Sequence, residues 1–474
     1  MTIVTQFSKT DPMLSHEPWE AIVARHYMLL CEYYDFLSTT QDYSASPKLR
    51  ELASKLAMPA RLWEKGIRSL LDRLHGCLPE SHDHMCTFID LACFIMARVY
   101  RTVPAFESTW IEHLGDLGAY RIAMKDDHLQ DREAWTSATR QWYSEASHRY
   151  PSIGRLYHRL AVCAKPNTLE QLFFYTKSLC VRVPFLDARD SLATFFEQNM
   201  NGGVIAAMDI NTAFVRAHGL LFSGKDYDQF IAQSKILTEH LATSACQWTE
   251  DGYHISIVLS CALLEYGSES NPIMRIIKQG HADEGGLAMS HTPKADEMMP
   301  YPNQRFTHAL GFVSRAHRAV FSSTGEEKTS SYLHVALVFL HHVSQFSKAM
   351  ALVGDKMPWK GICSYLNMMM ESCSSVQKME SDDLPHSVSQ AVQPLPEDFA
   401  LRGLLWAEKY YPDEWFSRIG ADTDETDPPT GWMLQERADR CLWLGCRIAK
   451  SGVWLQYDKT VGRFRADSMF ESEL

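Results

Sequence analysis

The sequence predicts an all-α protein. Three observations carry the prediction. Apolar residues recur at steps of three and four through most of the chain. No stretch shows the two-residue alternation of a half-buried strand bounded by hairpin turns. An aromatic–small–proline pattern repeats in the manner of paired helices. The 474 residues are 46% hydrophobic and 22% charged, enough apolar material for one large domain or two to three ordinary ones.

The elements follow in chain order. Phe88, Leu91, Ala92, Ile95, Met96 and Val99 paint one face of a helix. Tyr143-x-x-Ala146 is followed by Pro151, and Tyr175-x-x-Ser178 by Pro184, with Tyr157-x-x-Leu160-Ala161 between them. This is how the helices of a tetratricopeptide repeat begin and end: the small residue permits close approach and the proline stops the second helix. Lys165-Pro166-Asn167 is the expected turn, and Leu169, Leu172, Phe173, Leu179 and Cys180 the apolar face that follows it. A generic helical bundle would show the same pattern. Leu333, Leu337, Leu340 and Phe346, then Leu434, Leu442, Leu444 and Ile448, predict further helices. Three stretches read as linkers or surface loops: 267–302, Ser-rich 372–396, and acidic 420–431 with Pro428-Pro429. The expected division is a helical unit over 1–200 and a helical-hairpin region over 201–474.

Composition narrows function. The net charge is −12 and the pI about 5.9, which makes for a poor general polyanion binder, because phosphate contacts need clustered Lys and Arg; a local basic patch stays open. Residues 1–200 are close to neutral and the remainder carries most of the negative charge, which directs an anionic ligand to the first unit. No basic region followed by an apolar core opens the chain, and apolar runs such as Leu333 to Leu340 are too short to span a bilayer. A cytoplasmic or nuclear location without membrane contact is therefore expected. The twelve cysteines include no Cys-x-x-Cys pair and are expected to be reduced. His82, His84, Cys86 and Cys93 come nearest to metal spacing but lack a second ligand pair. There is no Gly-x-Ser-x-Gly elbow, no phosphate-cradling loop and no His-Glu-x-x-His, and His341-His342 on an apolar helix reads as packing. A non-enzyme without cofactor or metal is expected.

Four segments resemble one family. His113-Leu114-Gly115-Asp116-Leu117-Gly118-Ala119-Tyr120-Arg121 is similar to its H-L-G-D segment. Gly154 to Ala161 is similar to its G-x-x-Y-[NH]-x-L-A, and Phe174 to Phe185 to its Y-Y-x-[RK]-S segment ending in P-F. Leu395-Pro396-Glu397-Asp398-Phe399-Ala400-Leu401-Arg402-Gly403 is similar to its L-P-E-D-[WF]-x-L-R-G. The family is that of the telomerase-associated Est proteins and the SMG adaptors of nonsense-mediated mRNA decay. Arg437 to Tyr457 resembles its fungal members.

The resemblance implies a 14-3-3-like, tetratricopeptide-type N-terminal domain followed by an array of helical hairpins, an α-solenoid. It implies a non-enzymatic adaptor whose basic groove binds a phosphorylated protein partner, an RNA helicase of mRNA surveillance in the SMG branch. In the telomerase branch the partners are RNA or single-stranded telomeric DNA. A diverged regulatory paralogue is a further alternative. The nuclease domain that ends some members is not expected in this sequence; Asp422, Asp424 and Asp427 lie in a short polar loop.

Phosphate with two charges needs converging cations. By resemblance these are Arg68, five residues after Trp63, Lys65 one turn back, and Lys177 of the Tyr-Thr-Lys-Ser segment. Arg121, beside Tyr120, is a third position. Arg155, Arg159 and Arg182, with Lys165, enrich the same region in charge and could extend the groove. Each has a plainer reading: Arg68 as a solvated helix charge, Arg121 as a partner of Asp116 or Asp126. Tyr120, Tyr157 and Tyr175 read as packing rather than as base-stacking platforms.

Overall fold

The computed structural model describes residues 18–124, 129–200, 210–244, 252–284, 303–322, 326–371, 376–385, 394–413, 415–416 and 431–467. Within them the chain forms two compact units, divided between Tyr150 and Pro151.

Unit 1 is α1 (Trp19–Thr40), α2 (Pro47–Lys55), α3 (Met58–Arg61), a π-helical turn Leu62–Arg68, α4 (Ser69–His75), α5 (His82–Thr102), α6 (Glu107–Ala123) and α7 (Leu129–Arg149). Ser46 caps α2 by accepting from the Leu49 amide, with Pro47 at the first helical position, where its missing N–H costs nothing. The expected face of α5 is buried: Phe88, Ala92, Ile95, Met96 and Val99 join Leu30, Leu37, Leu71 and Trp110 in one core. Trp110 satisfies its indole N–H on the Val103 carbonyl at 2.8 Å. The H-L-G-D segment explains itself on α6. A Cβ at Gly115 would lie 2.5 Å from the Tyr143 ring of α7, so glycine is what lets the two helices close. Tyr143 then donates to Asp116 at 2.7 Å.

Unit 2 begins with the predicted hairpin, α8 (Gly154–Cys163) and α9 (Thr168–Cys180). Asn167 in the turn accepts from the Glu170 amide at 3.1 Å and starts α9. Then come α10 (Ala188–Met200), α11 (Ile210–Ser223), α12 (Tyr227–Ser244), α13 (Gly252–Leu263), α14 (Pro272–Glu284), α15 (Gln304–Ser322), α16 (Glu326–Ser344), α17 (Ser347–Val353), α18 (Trp359–Glu371), α19 (Val376–Glu380), α20 (Pro396–Leu401) and α21 (Gly431–Ser451). Buried α13 is central, packed on α9, α15 and α16, and α16 in turn carries α21. The boundary expected near residue 200 falls inside this unit, because α9 and α10 bury their apolar faces against α11 and α13 rather than ending a domain.

Two further expectations change. The linker read over 267–302 contains α14, whose Ile273, Met274, Ile276 and Ile277 are buried; Gly and Pro at its borders had masked a short amphipathic helix. The 372–396 linker contains α19. Residues 285–302, 372–375, 386–393 and 420–430 of these stretches lie outside the described residues. The chain also has strand after all: β1 (Leu455–Asp458) and β2 (Arg463–Ala466) pair antiparallel. Asn367 of α18 clamps β2, donating to the Phe464 carbonyl at 2.9 Å and accepting from its amide at 2.7 Å. No described helix is long and apolar enough to cross a membrane.

Candidate functional site

In unit 1 the predicted cations stand on the π-helical turn. The turn is anchored from inside. The Gly66 carbonyl accepts from His26 Nδ1 at 2.9 Å, and burial lowers the His26 pKa so that a neutral ring does the donating. Trp63 stacks on His113 with centroids 4.4 Å apart. With Leu62, Trp63 and Ile67 buried, Glu64, Lys65 and Arg68 are turned to solvent. Arg68 pairs with Glu64 at 3.1 Å and Asp72 at 3.4 Å. Those two carboxylates raise its pKa, the Glu64 hydrogen bond first. Tyr120 reaches over from α6 and donates to Asp72 at 2.7 Å. Burial and that carboxylate push the Tyr120 phenol up to about 12.

Arg121 does not join this face. Successive residues on a helix point about 100° apart, and Arg121 Nη1 is directed to Cys86 Sγ at 2.9 Å. Of the two carboxylates proposed as its partners, Asp116 accepts from Tyr143 and Asp126 lies outside the described residues. The metal-like cluster is dispersed as well. His82 is 3.9 Å from Cys86 Sγ, while His84 faces Glu20 at 3.7 Å. Among the described residues no three His, Cys, Asp or Glu side chains could hold a metal ion.

Lys177 lies in unit 2, and its reading as a groove cation needs correction. The residue is 2% exposed. Its ammonium sits 4.2 Å from the Tyr157 ring centroid and donates to the Phe399 carbonyl at 3.2 Å. Tyr157 donates to the carbonyls of Pro151 and Arg402 at 2.9 and 3.3 Å. Gly403 has φ +85°, and a Cβ placed there would collide with the Pro151 carbonyl. Three of the family-like segments are thus tied to each other by backbone carbonyls. Arg182 is exposed and paired with Glu408 at 2.6 Å; Arg155 and Lys165 are exposed and Arg159 half-buried. Lys177 and Arg182 therefore do not share one anion site. Tyr157 and Tyr175 are buried, as the packing reading had it.

The Leu-Pro-Glu-Asp segment opens α20 and is also interior. Glu397 and Asp398 are both fully buried. Arg437 of α21 grips Glu397 with two nitrogens at 2.5 and 2.9 Å. His334 of α16 bridges Glu397 at 3.0 Å and the Tyr410 hydroxyl at 2.7 Å. Arg440 holds Asp398 at 2.6 Å and lies over the Trp415 ring at 4.9 Å. Asp398 also accepts from the Leu395 amide at 2.9 Å, capping α20. Burial would raise the Glu397 pKa, but Arg437 and His334 outweigh it and hold the carboxylate well below its usual range.

Residues 139–410 match the family described as Est1 DNA/RNA binding domain. The chain belongs to this family. Among its relatives is nonsense-mediated mRNA decay factor SMG7 of Danio rerio, 25% identical over 319 residues, which are 62% of this chain and 23% of that protein. EST/SMG-like protein 2 of Saccharomyces cerevisiae is 26% identical over 163 residues, 33% of this chain and 13% of that one. The matches thus span about a quarter or less of these curated relatives. The solved crystal structure of Est1 and Cdc13 superposes with a TM-score of 0.55 at 11% identity, covering 95% of both chains. The all-α, 14-3-3-like helical architecture expected from the motifs is the family's fold.

Sequence reasoning missed two groupings. Arg437 and Arg440, three apart on an otherwise apolar helix face, were the available signal for partners to Glu397 and Asp398. Tyr227, His308 and Arg305 come together from α12 and α15 to line a cavity, and nothing local in the sequence relates them.

Proposed function

We propose that this chain is an adaptor that acts in mRNA surveillance or telomere maintenance and holds a phosphorylated protein segment on the exposed face of unit 1. The observation that supports this is the state of Arg68. Its side chain is 50% exposed and its partners are surface carboxylates four residues away on either side. Such pairs contribute between nothing and about 1 kcal/mol, so a phosphate dianion can displace them and take the guanidinium in a bidentate grip. Lys65 stands beside it, and Tyr120 has a hydroxyl to offer once Asp72 is displaced. Lys177 and Arg121 take no part.

The test is fluorescence polarisation of the full chain with a phosphoserine peptide library and its unphosphorylated twin. Phosphate-dependent binding lost in Arg68→Glu and weakened in Lys65→Glu is expected. Equal binding to both peptide sets would sink the reading.

A second reading is direct binding of single-stranded nucleic acid, favoured by the description of the family whose model covers 139–410. A chain of net charge −12 does this through a small local site rather than a broad basic surface.

A further inference from the structure

One part of unit 2 is left without a role by the motif residues. Two cavities adjoin at Arg305, near the start of α15, and Arg305 and Leu221 line both. The larger, about 180 Å³, has Leu220, Phe230, His308 and Tyr227 in its walls. The smaller, about 80 Å³, is polar, with Arg189, Ser268, Ser270 and Asn303. Tyr227 is 49% exposed. It stacks on His308 with centroids 4.0 Å apart and planes within 23°, and burial lowers the His308 pKa. The result is an aromatic face open to solvent and backed by a second ring.

The charges around it are sorted. Asp226 is used as the cap of α12, accepting from the Gln229 amide at 2.9 Å, and Asn303 caps α15 through the Phe306 amide at 2.7 Å. Glu265 accepts from Asn271 at 3.0 Å and Asn303 at 3.3 Å. Arg189 is fixed to the Tyr266 carbonyl at 2.8 Å. Arg305 makes no hydrogen bond or ion pair among the described residues; its guanidinium lies close over Gly224, where no side chain obstructs it. A mixed compartment with a stacking platform and a more polar compartment with arginines are therefore joined at one uncommitted guanidinium.

We propose that this double cavity holds one nucleotide of single-stranded nucleic acid, with its base against Tyr227 and His308 and its phosphate on Arg305. The assignment rests on the nucleic-acid reading above and gives it a place. Stacking on an exposed ring tolerates any base, since every base has a π-face. Ser268, Ser270 and Arg189 then face the sugar or the neighbouring phosphate. A bare anion would leave the aromatic platform unused, and a phosphorylated serine segment would have nothing to stack.

The experiment uses the full chain, a fluorescein-labelled ten-nucleotide oligouridylate and its deoxy counterpart. Tyr227→Ala and Arg305→Glu are each expected to weaken binding by about tenfold, while Tyr227→Phe keeps it. Arg305→Ala lowers the salt slope by about one. Lys55→Ala, at an exposed position of the other unit, leaves binding unchanged. A 4-thiouridine oligonucleotide photocrosslinked to the unaltered chain should mark 220–230 or 303–309, a result independent of how the variants fold. Wild-type binding with crosslinks elsewhere and unaffected variants overturns this site and leaves the nucleic-acid reading standing. Absence of any wild-type binding overturns both. Loss of phosphopeptide binding in Arg305→Glu, with oligonucleotide binding intact, reassigns the cavity to protein.

Discussion

Unit 1 and unit 2 use the same side chains in opposite ways. On the face of unit 1, Arg68 meets Glu64 and Asp72 in water, and all three are about half exposed. In unit 2, Arg437 and Arg440 meet Glu397 and Asp398 with almost no exposure at all. An exposed pair contributes between nothing and about 1 kcal/mol and can be exchanged for another anion. A buried pair has already given up its water, so removing one member strands the other charge at a cost of about 3–5 kcal/mol. The segment that most clearly resembles the family, Leu-Pro-Glu-Asp, is thus on the structural side of this divide. The weakly patterned Leu62–Arg68 turn is on the exchangeable side, where the proposed phosphate site lies.

Four experiments sharpen or break the contrast. The largest effect is expected from Glu397→Ala, about 3–5 kcal/mol of lost stability in chemical denaturation, since Arg437 and His334 lose their shared anion. The double variant Glu397→Leu with Arg437→Met should lose less than either single change; an additive loss would mean that packing and not charge dominates. Next comes Gly403→Ala, where positive φ and the Pro151 carbonyl together predict at least about 1–3 kcal/mol by the same measurement.

Acid comes third. Burial pushes His218 down to about 3 and His317 down to about 4, so the folded state holds both neutral. Their contribution is complete above the unfolded value of about 6.5 and is lost as pH falls from there toward 4. Stability followed by thermal melts at several pH values should decline with a slope approaching about 1.4 kcal/mol per pH unit for each ring. His317→Gln should flatten it; an unchanged slope would assign the acid sensitivity elsewhere. Smallest is Arg68→Ala, under about 1 kcal/mol in stability yet decisive for phosphopeptide affinity. A large stability loss there would remove the distinction between the two units.

Much of the helical layout was legible because it is written locally. The step pattern of Phe88 to Val99 gives α5, and Lys165-Pro166-Asn167 with its flanking aromatics gives the α8–α9 hairpin. The β1–β2 hairpin was not legible, since four-residue strands leave too little alternation to read, and its edge is completed by Asn367 from a distant helix. α14 was hidden by the glycines and prolines at its borders. Of the proposed site, Lys65 and Arg68 proved to be exposed. Lys177 was not: its charge pattern matched the family segment, but no sequence pattern says whether a lysine on a helix faces solvent or a tyrosine ring.

The helical class and the family were legible from the residues alone, because periodicity, turns and short motifs act over a few residues. Only the tertiary structure decided which charges are spent and which are available. Whether Arg437 meets Glu397, forty positions away, or Lys177 meets Phe399, more than two hundred positions away, depends on how helices pack. Desolvation in that packing then separates a structural ion pair from a binding one.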